Sequence, residues 1–513
     1  MSTSSRVIKN TGYLYAKMGI TMFISLYTTR LILNSLGASD FGIFNIVGGA
    51  IAMLGFLNSA MASATQRFMS YAEGAGNKKN EKYIFNVSII LHFTLSIIVG
   101  IALLITGFFF FNGILNIPKG RIFAAEIVYG SLIISTMFTI MTVPYDATMN
   151  AHENMKYYAF VGIVESILKL AVAFVTVYIL SDKLIVYGTL MACIPLITLT
   201  IMRIYCHRHY EECIISPRKY WNKSMAKEIT SFAGWNFFNS AASIITQYGL
   251  GIVLNSFFGT ILNAAMGVAN QLSGMLMAFS NNMTKALNPV IVKSAGSGED
   301  EKMINASLIG CKYSYFLIAV FSIPFIFEMP YILKLWLKNI PNWAILFCQL
   351  QLIRSLMEGL TGYIPTLVTA KGNIKGMSIS KSILSILPLL LTIISFLNGS
   401  SPYWLYIWWI VCWGVLNDIV SLYYANILCE LRIKDYMKIT FYPILIISLT
   451  MSFACFSIII LMHESLLRLI LTSSASVTVF AFSAYTTMSK QERIILIPLI
   501  SKLKNFSYIR KMT

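Results

Sequence analysis

Residues 254–298 read LNSFFGTILNAAMGVANQLSGMLMAFSNNMTKALNPVIVKSAGSG, and residues 33–76 read LNSLGASDFGIFNIVGGAIAMLGFLNSAMASATQRFMSYAEGAG. Leu33-Asn34-Ser35 recurs as Leu254-Asn255-Ser256, and Gly37 to Gly76 aligns with Gly259 to Gly298. Met53-Leu54 fall on Met275-Leu276, Met61 on Met283, Ala64 on Ala286 and Gly74 on Gly296. The chain therefore repeats itself about 222 residues apart. Both copies lie among long apolar segments, so the repeat predicts two homologous helical bundles, the pattern of secondary transporters that alternate access around a site near the bilayer midplane.

Composition points the same way. Of 513 residues, 57% are hydrophobic and 12% charged, about half the charged fraction of an ordinary soluble domain. Runs of about 20 apolar residues suit a membrane-crossing helix. They predict fourteen spans: 12–36, 41–70, 84–112, 121–149, 157–180, 184–206, 228–258, 261–293, 303–329, 343–370, 376–398, 403–430, 438–462 and 466–488. The thinnest gap runs from Leu36 to Phe41. The expected fold is an all-α integral membrane protein with two pseudo-symmetric six-helix lobes and two further C-terminal helices. Its parts are residues 1–206, a basic connector at 207–227, a second lobe at 228–430, and 431–513 with the last two spans and a basic tail. The first span is too long for a removable signal peptide and lacks a small-residue cleavage site.

The net charge of +18 is dispersed over short connections, so no compact basic surface for nucleic acid is expected. With the N-terminus inside, the inner connections and termini hold 26 Lys and Arg and the outer ones six, with seven more inside spans. Positive charge collects on the cytoplasmic side, which puts both termini there and requires an even number of spans. The short outer loops leave no room for the catalytic loops of membrane glycosyltransferases or polymerases. No Gly-x-x-x-x-Gly-Lys-Ser/Thr loop occurs, so transport would draw on an ion gradient or on the substrate's own gradient. The chain reads as a transporter, not an enzyme, with no catalytic residue and no cofactor apart from a coupling H+ or Na+.

On the eighth span, Asn263, Gly267, Asn270, Gly274, Asn281, Lys285 and Asn288 fall within about 60° of one another at 3.6 residues per turn. The second span repeats the register with Asn45, Ala52, Ser59, Ser63 and Gln66, and Lys17, Thr21 and Ser25 of the first align on Asn239, Ser243 and Gln247 of the seventh. Small and amide residues also serve helix packing, but packing does not call for a buried cation such as Lys285.

The intramembrane cations are Lys17, Arg30, Arg67, Lys169, Lys285, Lys312 and Arg354, and the fewer acids include Glu126, Glu165, Glu358 and Asp418. Lys17, Arg30, Arg67 and Lys312 lie close enough to helix ends to snorkel. Glu165 with Lys169, and Arg354 with Glu358, have the i,i+4 spacing of a helix pair. Lys285 has no local acid and Asp418 no local base. An excess of cations facing a cavity predicts an anionic ligand such as a phosphate or diphosphate. The eight cysteines mostly lie in apolar spans and suggest no disulfide framework. Cys206, His207, His209 and Cys213 match no common zinc spacing, so the connector reads as a solvated linker without metal.

Several segments resemble the bacterial polysaccharide flippases, the lipid-linked-oligosaccharide branch of the multidrug/oligosaccharidyl-lipid/polysaccharide (MOP) superfamily. They are Arg6-Val7-Ile8-Lys9-Asn10-Thr11-Gly12, Thr29-Arg30-Leu31-Ile32-Leu33, Leu36-Gly37-Ala38-Ser39-Asp40-Phe41-Gly42-Ile43 and Ala64-Thr65-Gln66-Arg67-Phe68. The pair Ala151-His152-Glu153-Asn154-Met155-Lys156 and Ala370-Lys371-Gly372-Asn373-Ile374-Lys375 also looks like that family's short inner loop. The resemblance covers roughly residues 6–430. It implies two lobes in a V, located in the bacterial inner membrane. It also implies export of an undecaprenyl-diphosphate-linked oligosaccharide repeat unit for O-antigen, capsule or exopolysaccharide. The lipid tail would stay in the bilayer, and a polysaccharide polymerase and glycosyltransferases are the protein partners implied. On this reading Lys17, Arg30, Arg67 and Lys285 bind the diphosphate, Asn239, Gln247, Asn270 and Asn281 line the sugar path, and Glu165, Lys169, Arg354, Glu358 and Asp418 serve ion coupling or gating. Many such flippases have twelve spans; fourteen is reminiscent of lipid II flippases, which gives one alternative. A MATE-type multidrug exporter is a second, and a lipid-modifying enzyme a third.

Overall fold

The structure is a computed structural model that describes residues 3–52, 55–111, 117–337, 340–488 and Glu492. Every regular element among the described residues is helical. In chain order the helices are α1 (Thr3–Ala52), α2 (Gly55–Gly74), α3 (Lys78–Phe109), α4 (Ile122–Ala151), α5 (Met155–Tyr178), α6 (Lys183–His209), the single turn α7 (Pro217–Tyr220), α8 (Lys223–Phe258) and α9 (Thr260–Gly296). Then follow α10 (Asp300–Trp336), α11 (Ala344–Leu360), α12 (Ile364–Lys371), α13 (Lys375–Leu397), α14 (Trp404–Trp409), α15 (Asn417–Cys429), α16 (Ile433–Tyr436), α17 (Tyr442–Leu461) and α18 (Leu466–Thr487). Seven π-helical residues, Ile410–Leu416, join α14 to α15.

Among the described residues, ten helical segments are long and apolar enough to cross a membrane. The first, second, eighth and tenth expected spans are not among them. The first two are not separated by a loop: α1 runs from one into the other through a single non-helical residue, Gly37 (φ 76°, ψ 169°). The eighth, α9, carries the polar stripe. The tenth breaks at residues 361–363 into the 17-residue α11 and the 8-residue α12. Met53, Leu54 and the side chains of Asn45 and Ala52 lie outside the described residues, as does the basic tail beyond residue 488 apart from Glu492.

The duplication is written into the backbone. Gly37 and Gly259 have φ of 76° and 82°, and Gly76 and Gly298 have 67° and 75°. The second pair ends α2 and α9 with the same closing bonds, Asn77 N to Ala72 O and Gly76 N to Glu73 O in one, Glu299 N to Ser294 O and Gly298 N to Ala295 O in the other. Left-handed C′ residues that redirect the last amides to earlier carbonyls are the usual way to satisfy a helix C-terminus. The shorter inner-loop repeat obeys the same rule with one difference: Gly372 takes φ 92°, and its counterpart is Glu153 at φ 55°. A non-glycine residue in that region carries strain that its surroundings must offset.

The chain divides into two compact units. One comprises Asn10–Ala241 with Asn288–Asp300, the other Ala242–Leu287 with the described residues from Glu301 onward and those before Asn10. In the first, α3, α4 and α6 pack around Leu103, Val128, Ile133 and Ile140. In the second, Leu333, Phe347, Leu352, Tyr406 and Trp409 form one cluster, and α10 packs on α17 and α18 through Phe316, Ile323, Ile447 and Met451.

That last face contains two buried ion pairs. Arg468 grips both oxygens of Glu328 at 3.0–3.2 Å and Thr472 Oγ1 donates to Glu328 at 3.0 Å. Lys312 Nζ lies 3.0 and 3.1 Å from the Glu492 oxygens. Both differ from the sequence expectation, in which Arg468 belongs to an outer loop and Lys312 snorkels. Their partners are 140 and 180 residues away, beyond the reach of local reading. Most of the connector is exposed, but its middle is anchored. Glu212 and Cys213 are 2% and 1% exposed, and Asn86 of α3 pins the segment between them and α7, donating to Ile214 O and accepting from Ser216 N, both at 2.8 Å.

Candidate functional site

In the unit built on Asn10–Ala241, Lys17 of α1 is half-buried, with its ammonium 4.3 Å from the centre of the Tyr158 ring. Gly162, one turn further along α5, makes room for it. A Cβ there would stand 2.1 Å from Lys17 Cε and 2.5 Å from Nζ. Arg67 of α2 lies among the rings of Phe68, Tyr71 and Phe232 at 4.8, 5.0 and 5.6 Å, and Glu228 is close enough to act on it electrostatically. Aromatic faces hold a cation in place without themselves carrying a countercharge. Arg30 is exposed and Asn239 half-buried. Glu165 and Lys169 form the pair their spacing predicts, at 2.6 Å.

In the other unit, Lys285 and Asn270 are half-buried and Gln247 and Asn281 exposed. The α9 stripe opposes a buried face of Ala265, Ala269, Leu272, Leu276 and Met283, as its register predicts. The expected anion-binding and sugar-path residues thus fall four in each unit.

Three of the five coupling or gating candidates converge in this second unit. Arg354 and Glu358 of α11 form an ion pair. The guanidinium lies 4.4 Å from the centre of the Trp409 ring and 5.7 Å from that of Trp413, and its Nε donates to Gln351 at 3.2 Å. The break after α11 turns Thr361 toward α15, where its hydroxyl donates to Asp418 Oδ1 at 2.5 Å. Asp418 interacts electrostatically with Lys381 of α13 and with Glu358. Asp418 therefore has a base nearby in space, though none within a helical turn along the chain. Lys381 is 9% exposed and is missing from the expected set of intramembrane cations because it stands only seven residues into α13. The π-helical segment directly before α15 is a second signal, since such segments gather at functional sites. Two carboxylates, a hydroxyl, a guanidinium and an ammonium, removed from water beside a broken helix, can bind or exchange a proton or a monovalent cation.

A third cluster was not anticipated. His152, at the end of α4, puts Nε2 2.5 Å from Glu212 and Nδ1 3.3 Å from Glu73, and its ring stacks on Tyr210 at 4.2 Å and 3°. Burial lowers the affinity of His152 for its proton, but the hydrogen bonds to Glu212 and Glu73 outweigh this and push its pKa up to about 9. The same balance, burial opposed by bonds from His152 and Lys78, holds Glu73 well below the usual carboxylate range. Carboxylate oxygens of Glu73 and Glu81 and a ring nitrogen of His152 lie within 4.8 Å of one another. Lys78 bridges the two acids at 2.6 and 3.0 Å, so the group is an ion-pair network with its own cation. Of Cys206, His207, His209 and Cys213, the two thiols hydrogen-bond to each other; Cys206 also points at Tyr145 O, Cys213 at Thr148 Oγ1 and His209 at Tyr205 O.

No family model and no curated protein sequence matches the chain. Solved structures do. A point mutant of a MATE protein superposes with a TM-score of 0.71 at 14% identity, covering 83% of this chain and 96% of its own. An outward-facing multidrug resistance MATE family transporter of the MOP superfamily gives 0.70 at 13%, covering 83% and 95%. A MOP superfamily transporter from Pyrococcus furiosus, described by a binding pocket of reversed polarity that suggests a different function, gives 0.66 at 13%, covering 84% and 96%. The chain therefore has the MATE transporter fold.

Proposed function

We propose that this protein is a secondary transporter that flips an undecaprenyl-diphosphate-linked oligosaccharide from the cytoplasmic to the outer leaflet of a bacterial inner membrane. The observation that carries the reading is how the intramembrane cations are used. Ion pairs account for Lys169, Lys312 and Arg354, whereas Lys17 rests on the ring of Tyr158. A transporter for cationic drugs has no use for a lysine kept in that way; a diphosphate does. The neighbour with a pocket of reversed polarity is a precedent for a change of charge within this fold. Asn239, Gln247, Asn270 and Asn281 would meet sugar hydroxyls, Arg30 and Lys285 would add to the positive field, and Asp418 with Thr361 would take the coupling H+ or Na+.

The test is the lipid-linked oligosaccharide pool of a clean deletion strain and its complemented parent, read by mass spectrometry beside surface polysaccharide. Accumulation of a complete undecaprenyl-diphosphate repeat unit with loss of surface polymer is expected. Accumulation of lipid II would move the substrate to the peptidoglycan precursor. An unchanged pool with intact polymer, in a strain with no second flippase, would refute the reading in favour of a multidrug exporter.

A further inference from the structure

Gly74 and Gly296 are repeat partners, and they meet. A Cβ on Gly74 would lie 2.1 Å from Lys293 O, and a Cβ on Gly296 would lie 2.1 Å from Tyr71 O. Lys293 and Tyr71 are also 222 residues apart, so the C-terminal ends of α2 and α9 cross reciprocally, each backbone seated on the glycine of the other. This approach is closer than any side chain permits.

Beside the crossing, Lys293 Nζ reaches Glu153 at 3.4 Å and Glu73 at 3.7 Å. Glu153 is the residue held in the left-handed region where the other repeat has glycine. Its carbonyl accepts a bond from Asn10 Nδ2 at 3.0 Å, and its carboxylate is 3% exposed. Four acids, Glu73, Glu81, Glu153 and Glu212, gather around three cations, His152, Lys78 and Lys293. The four acids and two of the cations come from α2, α3, the α4–α5 turn and the connector; Lys293 alone is delivered by α9. Its ammonium offsets part of the repulsion between carboxylates this close and this buried. α9 is also divided: Thr260–Leu287 belongs to one compact unit and Asn288–Gly296 to the other. Pro289 stands at that division, where it removes a helical hydrogen bond and allows a bend.

We propose that the end of α9 is a conformational latch, with Lys293 as its bolt, the Gly74–Gly296 crossing as its seat and Pro289 as its hinge. In this structure the latch is engaged. Substrate loading from the side that the positive charges assign to the cytoplasm requires Asn288–Gly296 to swing off α2 and Lys293 to leave Glu73 and Glu153. The role in loading rests on the transport reading above; the existence of the latch does not.

Hydrogen exchange read by mass spectrometry on the full-length protein in nanodiscs tests it. For Lys293→Gln and Gly296→Ala, exchange across residues 288–300 is expected to rise at least tenfold while α17 stays at the wild-type level, and Lys293→Arg should keep wild-type protection. Wild-type exchange in both loosening variants would overturn the latch. Loosening throughout the protein would also overturn it, by showing that the cluster merely holds the fold. Local loosening with an unaltered lipid-linked oligosaccharide pool would overturn the gating role and leave the transport reading standing.

Discussion

Replacing Arg468 by Ala should uncouple α18 from α10, and the size of the effect follows from the geometry. Glu328 has no exposed side-chain surface and Arg468 has 7%. Removing the guanidinium deletes three nitrogen–oxygen contacts of 3.0–3.2 Å and the bond from Nη1 to Met462 O at 3.2 Å. It leaves a buried carboxylate with Thr472 as its remaining donor. Breaking one side of a buried pair costs about 3–5 kcal/mol, because the stranded charge cannot be resolvated. Removing both charges avoids that penalty, so Glu328→Leu with Arg468→Leu should lie within about 2 kcal/mol of wild type. The double mutant is therefore expected to be more stable than either single one, with a coupling energy of several kcal/mol. Fluorescence-detected size exclusion after heating, in one fixed detergent, ranks the four proteins, and hydrogen exchange along α18 localises the effect. An Arg468→Ala protein as heat-resistant as wild type, or a double mutant whose loss equals the sum of the single losses, would refute the argument.

Gly162→Ala should displace Lys17 from Tyr158, since the new Cβ occupies the position of the lysine stem. With a cation–π contact worth about 0.5–2 kcal/mol, transport should fall roughly twofold to thirtyfold alongside Lys17→Gln, and wild-type transport would dismiss the role of Lys17. The His152 pKa, raised from 6.5 to about 9, makes its pairing with Glu212 and Glu73 fully stabilising below about pH 6.5 and progressively lost as pH rises through about 9. The stability difference between wild type and His152→Gln, measured against pH, should shrink over that window; a flat difference would contradict the assignment. Asp418→Asn keeps an acceptor for Thr361 but removes the charge, so transport in proteoliposomes should lose its dependence on an imposed H+ or Na+ gradient, and an unchanged dependence would exclude Asp418 from coupling.

What the sequence determined by itself is what depends on neighbours along the chain or on comparing the chain with itself. Apolar runs specify helices long enough for a bilayer because every backbone group in hydrocarbon must be bonded internally. The repeat carries its turns with it, so Gly37 with Gly259 and Gly76 with Gly298 share left-handed backbones. The pairs Glu165–Lys169 and Arg354–Glu358 were legible because helix geometry alone places residues four apart on one face. Tertiary structure decided the rest. Arg468 finds Glu328, Lys312 finds Glu492, and Asp418 meets Thr361 and Lys381 across distances in sequence that no local period encodes. Glu212 reads as one more acid in a basic linker until the connector folds back and buries it against His152. Hydropathy fixes which segments enter the membrane, but a helix in lipid has no polar solvent to orient it. Which of its charged residues meet a partner is therefore set by the packing of the helices around it.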